Sequence, residues 1–303
     1  MHSHKMHPDE LDIDILLVSR LLTSQFPHLA HLPLSHVPSS GTDHALFRLG
    51  EELGVRLPRI HWATEQAELE RRWLPRLASH LPLAVPQPIE MGEPGAGYPY
   101  RWAIYRWLVG ENAAGNPAAD SAQTATDLAH FIWALQAIDP TDGPRPDPAG
   151  GRGAPLVSRD VETRRAIAAS HGLVDMAAVT AAWEAALRAP AHDGPPVWVH
   201  GDLEPGNLLL RDGRLSAVID FCCLAVGDPA VDLIPAWSVF TGAARAAFRA
   251  ALGVDDAAWA RGRGWALSTA LIALPYYVDS NPFMAANARR KISAVLGDPA
   301  SSG

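Results

Sequence analysis

The sequence predicts an α+β chain with a small, β-rich N-terminal lobe and a larger, mainly helical C-terminal lobe. Three observations carry this. Short apolar runs bounded by Gly, Pro, Ser or Asp crowd residues 34–60. Ala, Leu and Trp recur at helical spacing through most of the chain after residue 120. Between residues 197 and 219 the pattern changes to short apolar strands around an Asp-Gly turn. A chain of 303 residues, 48% hydrophobic, is long enough for two packed units. The expected division is 1–109 and 110–303.

In chain order, an amphipathic helix is expected at 12–23, then strands at 34–37, 45–49 and 55–57. Between the first two strands lies Ser39-Ser40-Gly41-Thr42-Asp43, small enough for close backbone approach to an anion. On the third strand, period-two alternation sets Arg56 opposite Val55 and Leu57. Thr64 is the expected N-cap of a helix whose buried stripe is Leu69, Trp73 and Leu77, with Pro75 ending or kinking it. The Pro-rich 85–88 leads to a strand at 101–108, broken by Val109-Gly110-Glu111; Trp102 and Trp107 read as core or pocket wall. A helix from Asp120 or Ser121 to 138 precedes a Pro/Gly loop at 139–155. Helices at 159–170 and 175–188 follow, and four more at 230–239, 243–252, 255–274 and 283–296.

The chemistry gathers in one segment, VWVHGDLEPGNLLLRDGRLSAVIDF, which starts at Val197. Asn207 stands five residues after Asp202, and Asp220 follows the apolar Ala217-Val218-Ile219 and precedes Phe221. A strand at 197–199, a second at 208–210 and a return through 215–219 would set Asn207 and Asp220 at the open end of a hairpin. The set suits phosphoryl transfer, whose loose transition state asks for a placed acceptor hydroxyl and for Mg²⁺ on the phosphates. Asp202 would orient the hydroxyl and take its proton, while Asn207 and Asp220 offer the hard oxygens that Mg²⁺ prefers. Each residue alone could cap a turn or end a strand; the order and spacing favour the joint reading. His200 reads as a packed loop residue, because Asp202 already fills the role of base.

With Gly227-Asp228-Pro229-Ala230-Val231-Asp232-Leu233 downstream, the segment resembles the aminoglycoside phosphotransferase family, antibiotic and small-molecule kinases related in fold to protein kinases. The hallmarks are H-G-D-x-x-x-x-N, then I-D-F, then G-D-P-x-x-D-L, in that order. The similarity runs from about Ser39 to the C-terminal helices. It implies a protein-kinase-like two-lobe fold, Mg²⁺ as cofactor, and ATP or GTP as co-substrate. It also implies that Ser40 and Gly41 lie over the nucleotide phosphates and that Arg56, or Arg59, replaces the usual lysine. Glu70, or Glu68, would be the ion-pair partner of that cation. Arg106, Trp107 and Leu108 would form the adenine hinge, Ile219 would line the nucleotide pocket, and His200, Asp228 and Asp232 would support the catalytic loop. The chain departs from related kinases in lacking a Gly-x-Gly-x-x-Gly loop and a lysine near Arg56.

The acceptor is less legible. Asp160, Glu162, Glu204 and Asp279 could receive a cationic aminoglycoside, but a neutral metabolite, sugar, amino alcohol or macrolide fits the fold as well. A net charge of −8 without a basic stripe argues against nucleic acid. No signal peptide or membrane-length apolar run is read. Adjacent Cys222 and Cys223 cannot close an ordinary disulfide loop and read as packing beside Phe221 in a reducing compartment. A cytoplasmic monomer or homodimer is expected, and His2, His4 and His7 read as a solvated terminus. Two other classes remain: a kinase-like protein that binds nucleotide without turnover, and a metal-dependent hydrolase using His200, Asp202 and Asp220.

Overall fold

Asp14 accepts the Leu17 N–H and opens helix α1 (Ile15–Gln25) in the computed structural model, which describes residues 10–38 and 43–298. Ser40, Gly41 and the three N-terminal histidines lie outside the described residues. Contacts divide the chain into two compact units. One comprises Met1–Ser79, Ala84–Val109 and Ala217–Cys222; the other comprises His80–Leu83, Gly110–Ser216 and Cys223–Gly303.

The first unit is built on a five-stranded sheet in the order β1-β2-β3-β5-β4. Its strands are β1 (Leu34–Val37), β2 (His44–Leu49), β3 (Leu53–Pro58), β4 (Pro88–Gly92) and β5 (Trp102–Arg106), all antiparallel to their neighbours. Alternation on β2 buries Ala45, Phe47 and Leu49. They pack with Val18, Leu21 and Leu22 of α1 and with Val55, Leu57, Trp102 and Ile104. Helix α2 (Gln66–Leu77) buries Trp73, Leu74 and Leu77 together with the polar Gln66 and Glu70.

Three expectations are corrected here. Thr64 does not cap α2: it closes the preceding 3-10 turn, its hydroxyl donating to the His61 carbonyl. Edge strand β4 was not expected, because Pro88 at its start and a register shift between Pro88 and Glu90 blur the period. Strand β5 ends at Arg106, so Trp107 and Leu108 follow it rather than belong to it.

In the second unit, a two-residue strand β6 (Glu111–Asn112) is followed by helix α3 (Ala122–Gln136), whose N-cap Ser121 accepts the Thr124 N–H. Helices α4 (Asp160–Ala169) and α5 (Met176–Leu187) come next, then β7 (Val197–Val199). Strands β8 (Leu208–Arg211) and β9 (Arg214–Val218) form the expected hairpin, with φ of +53° at Asp212 and +75° at Gly213. Left-handed backbone at both central residues is what a two-residue turn of the I′ type requires. Strand β10 (Ala225–Gly227), too short to be read from sequence, pairs antiparallel with β7. Helices α6 (Pro235–Ser238), α7 (Gly242–Leu252), α8 (Asp256–Tyr277) and α9 (Pro282–Leu296) complete the unit. Helix α8 is buried along most of its length and forms the spine of the helical core. Among the described residues no helix is long and apolar enough to cross a membrane.

Candidate active site

In the first unit, the sheet and α2 meet on the Arg56 side chain. Its Nη1 lies 3.2 Å from Glu70 Oε1 and its Nη2 3.1 Å from Asp220 Oδ1, so one planar fork spans two carboxylates. Gln66, one helical turn before Glu70, donates through Nε2 to Glu70 Oε1 at 2.9 Å and to Asp220 Oδ1 at 2.6 Å. The Tyr105 hydroxyl donates to Glu70 Oε2 at 2.6 Å, and the Phe221 N–H to Oε1 at 3.2 Å. Tyr105 reaches this network because β5 pairs with β3, setting Ala103 opposite Arg56 and Tyr105 two residues on, on the same face. Glu70 is fully buried and fully partnered, which offsets the cost of a carboxylate in the core.

Charge in this network is strongly biased. Burial opposes ionisation of Asp220, yet the Arg56 guanidinium holds its carboxyl well below the usual carboxylate range. Burial likewise opposes the Arg56 cation, but Asp220 and Glu70 hold it charged. His44, at the start of β2, is kept neutral by burial and then by the nearby Arg56. Burial and Glu70 keep the Tyr105 phenol protonated. Asp220 itself sits at φ +65°, a left-handed conformation costing a non-Gly residue about 1–2 kcal/mol. Such strain persists where surrounding contacts determine it, and it gathers at functional sites.

The geometry separates the alternatives left open by sequence. Arg59 pairs with Glu10. Glu68 pairs with the exposed Arg71 and Arg101 at 3.1 and 2.9 Å. At the strand end, the Arg106 N–H donates to the Gln87 carbonyl and the Trp107 N–H to the Glu52 carbonyl, so neither amide is available as a donor to a base. Leu108 and Ile219 are half-buried, and Arg48 stacks 4.2 Å over the Trp107 ring. Cys222 is exposed rather than packed as expected, and Cys223 is half-buried.

In the second unit, β7 delivers the chain into the His200-Gly201-Asp202 turn. Gly201 has φ +81°, and a Cβ there would come within 2.8 Å of Arg152 Cβ and the Cys223 carbonyl, so only glycine fits. Asp232 braces the turn by accepting the His200 N–H at 2.9 Å and the Gly201 N–H at 2.7 Å. Burial pushes its carboxyl up to about 7 against the pull of those two N–H groups. His200 is fully buried, with Nδ1 accepting the Asp202 N–H at 3.2 Å. Asp228 caps the following 3-10 turn through the Ala230 N–H and pairs with Arg261 at 2.9 Å, both side chains buried.

Asn207 is tied to Asp202. Its Nδ2 donates to the Asp202 carbonyl at 2.8 Å and to Asp202 Oδ2 at 3.0 Å. Both amide hydrogens are thus engaged, which leaves Oδ1 as the oxygen for a metal. Arg152, from the Pro/Gly loop, brings Nη2 to 3.4 Å from Asp202 Oδ1. Arg152 escaped the sequence reading because a loop of that composition carries no periodic signal. Gln66 and Tyr105 escaped it as well, since neither carries a charge and only the packing of α2 and the pairing of β5 bring them onto Glu70.

Of the acidic acceptor candidates, Asp160 accepts from Arg164 Nε and from Trp183 Nε1, each at 2.8 Å. Glu162 pairs with Arg159 at 2.9 Å, and Glu204 pairs with Lys291. Asp279 is exposed just past the end of α8.

The family model described as "Phosphotransferase enzyme family" matches residues 36–265. No curated protein matches the sequence. Among solved structures, the chain is similar to the GDP complex of wild-type aminoglycoside 2'-phosphotransferase-IIIa, with a TM-score of 0.73 and 17% identity over 93% of this chain and 99% of that one. It is similar to the macrolide 2'-phosphotransferase MphH apoenzyme from Brachybacterium faecium, with a TM-score of 0.61 and 23% identity over 93% and 98%. A third likeness is to the GDP and kanamycin complex of APH(2")-IIia, with a TM-score of 0.70 and 17% identity over 92% and 98%. At these identities the likeness establishes the fold, and the kinase-like α+β class expected from the sequence is the one found.

Proposed function

We propose that this chain, which belongs to the phosphotransferase enzyme family, moves the γ-phosphoryl group of ATP or GTP to a hydroxyl of a small molecule, with Asp202 as the base. The observation that carries the reading is the Asp202–Asn207 pair: one carboxylate aimed by the amide five residues on, in a turn braced by Asp232. The GDP held by two of the similar structures supports a nucleotide co-substrate. One of those complexes also holds kanamycin, and a third similar structure is a macrolide 2'-phosphotransferase, which supports a small hydroxylated compound as the acceptor.

In the reaction, Asp202 accepts the proton of the acceptor hydroxyl as the new oxygen–phosphorus bond forms and the bond to the β-phosphate oxygen breaks, releasing the nucleoside diphosphate. Asn207 Oδ1 in the second unit and the Asp220 carboxylate in the first are each hard oxygens of the kind that Mg²⁺ prefers. When bound, Mg²⁺ neutralises charge on the nucleotide phosphates. Arg56 supplies the cation that lysine supplies in related kinases, oriented by Glu70, Gln66 and Tyr105. Ser40, Gly41, Leu108 and Ile219 are assigned to the nucleotide, and His200, Asp228 and Asp232 to support of the loop.

A second reading, nucleotide binding without turnover, is favoured by the replacement of lysine by Arg56. The hydrolase alternative meets an obstacle in His200, which is buried with Nδ1 engaged. The test is Mg²⁺-dependent nucleotide turnover across a panel of hydroxylated acceptors. Asp202→Ala is expected to lower acceptor-stimulated diphosphate release by about 10²–10⁴-fold while leaving nucleotide affinity nearly intact. Asp220→Ala is expected to abolish the Mg²⁺-dependent part of that affinity. Full activity in Asp202→Ala would remove the assignment; binding without turnover for every acceptor selects the second reading.

A further inference from the structure

A polycationic acceptor binds where carboxylates outnumber the protein's own cations. The catalytic loop of this chain offers instead one internal cation for each carboxylate. Asp202 has Arg152 Nη2 at 3.4 Å from Oδ1. Glu204, two residues on, is held by Lys291 of α9, whose Nζ also donates to Thr269 Oγ1 of α8 at 3.0 Å. Lys291 is one of two lysines in the sequence, and its side chain is only 9% exposed. An ammonium so enclosed is tolerated because it is paired, and breaking the pair would leave it uncompensated. Glu204 therefore keeps Lys291 as a permanent counter-ion. A ligand ammonium would have to displace an internal one that has already lost its freedom of movement in folding.

The same balance holds on α4. Asp160 is shared between Arg164 and the Trp183 indole, and Glu162 is matched by Arg159. Arg159 is itself fixed by the Gly150 carbonyl at 2.9 Å. Asp228 belongs to Arg261. Of the four carboxylates that the sequence offered to a cationic acceptor, three are thus spent on internal partners. Asp279 provides a single exposed charge. The chain's net charge of −8 does not reside on the catalytic loop.

We propose that the acceptor is an alcohol that is not a polycation, such as a sugar or a hydroxy acid, and that Lys291 is the residue that denies Glu204 to a polycation. The proposal rests on the phosphotransferase reading, since Asp202 marks the acceptor end only if it is the base.

The test titrates kanamycin into the full-length protein by calorimetry at low ionic strength, comparing wild type, Lys291→Met, Lys291→Gln and the double variant Lys291→Gln/Glu204→Gln. Wild type is expected to show no saturable kanamycin binding. Freeing Glu204 in either Lys291 variant should raise affinity at least about tenfold, and the double variant should lose the gain. Saturable kanamycin binding by wild type overturns the proposal, as does a folded Lys291 variant with no gain. Should both Lys291 variants fail to fold, the wild-type titration still decides. Metal-dependent nucleotide binding is measured on the same wild-type sample. Its absence sinks the phosphotransferase reading, whereas its presence together with tight kanamycin binding sinks only the acceptor class.

Discussion

Arg56 does with one planar group what a lysine ammonium would have to do with a single point charge. Nη1 serves Glu70 and Nη2 serves Asp220, so the guanidinium fixes the distance between a helix carboxylate and the carboxylate assigned to the metal. Arg56→Ala would leave Glu70 fully buried without its cation. Removing one partner of such a pair costs about 3–5 kcal/mol, and the lower end applies here because the Asp220 side chain is one-third exposed. The expected outcome is that loss in chemical denaturation together with a nucleotide KM raised about tenfold or more. Arg56→Lys should recover most of the stability but less of the KM, because one ammonium cannot fork. A KM unchanged in Arg56→Ala would return the nucleotide role to another cation. Arg56 and Glu70 were named in the sequence by strand parity and by the family resemblance, each beside an alternative, Arg59 and Glu68, that pairs elsewhere in the structure. Gln66 and Tyr105 were not, since an uncharged amide and a phenol announce no role until a third element brings them onto Glu70.

At the scale of elements, what the sequence hid was short and irregular. Strands β1, β7 and the β8–β9 hairpin were readable because apolar alternation or an Asp-Gly turn marked them. Strands β4, β6 and β10 were not, being five, two and three residues long, with a proline or a glycine inside or beside them. Pairing, not propensity, makes them strands. Gly92, the last residue of β4, shows how closely that pairing is fitted. It faces Trp102 across the β4–β5 ladder, and a Cβ at Gly92 would lie 2.0 Å from Trp102 Cε2. Trp102 is fully enclosed by the first unit's core and cannot swing away. Gly92→Ala should therefore destabilise the protein by about 1–3 kcal/mol, seen as a lower denaturation midpoint with unchanged slope. A double variant Gly92→Ala/Trp102→Phe, with a smaller ring, should recover part of the loss. Wild-type stability for Gly92→Ala would show that β4 can shift away from β5.

Across the whole molecule, the His200–Asp202 turn ties global stability to pH through Asp232. Burial raises its carboxyl to about 7 in the folded protein, against about 3.9 in an unfolded chain. Between those two values the folded state holds a proton that the unfolded state has released, so stability falls as pH rises through the window. The contribution is complete below the unfolded value and is lost once the pH passes about 7, with a slope approaching ~1.4 kcal/mol per pH unit inside the window. Comparison with a variant at Asp232 isolates this contribution, because every other titrating group is common to both proteins. Asp232→Asn cannot release a proton, and its single oxygen can accept from one of the His200 and Gly201 N–H groups with good geometry. The variant should be less stable than wild type at pH 4.5, and the gap should narrow steadily toward pH 7 and stay constant above it. Unfolding free energies of the two proteins measured from pH 4.5 to 8 decide the matter. Parallel curves would mean that Asp232 is ionised throughout, and that two backbone N–H groups outweigh its burial.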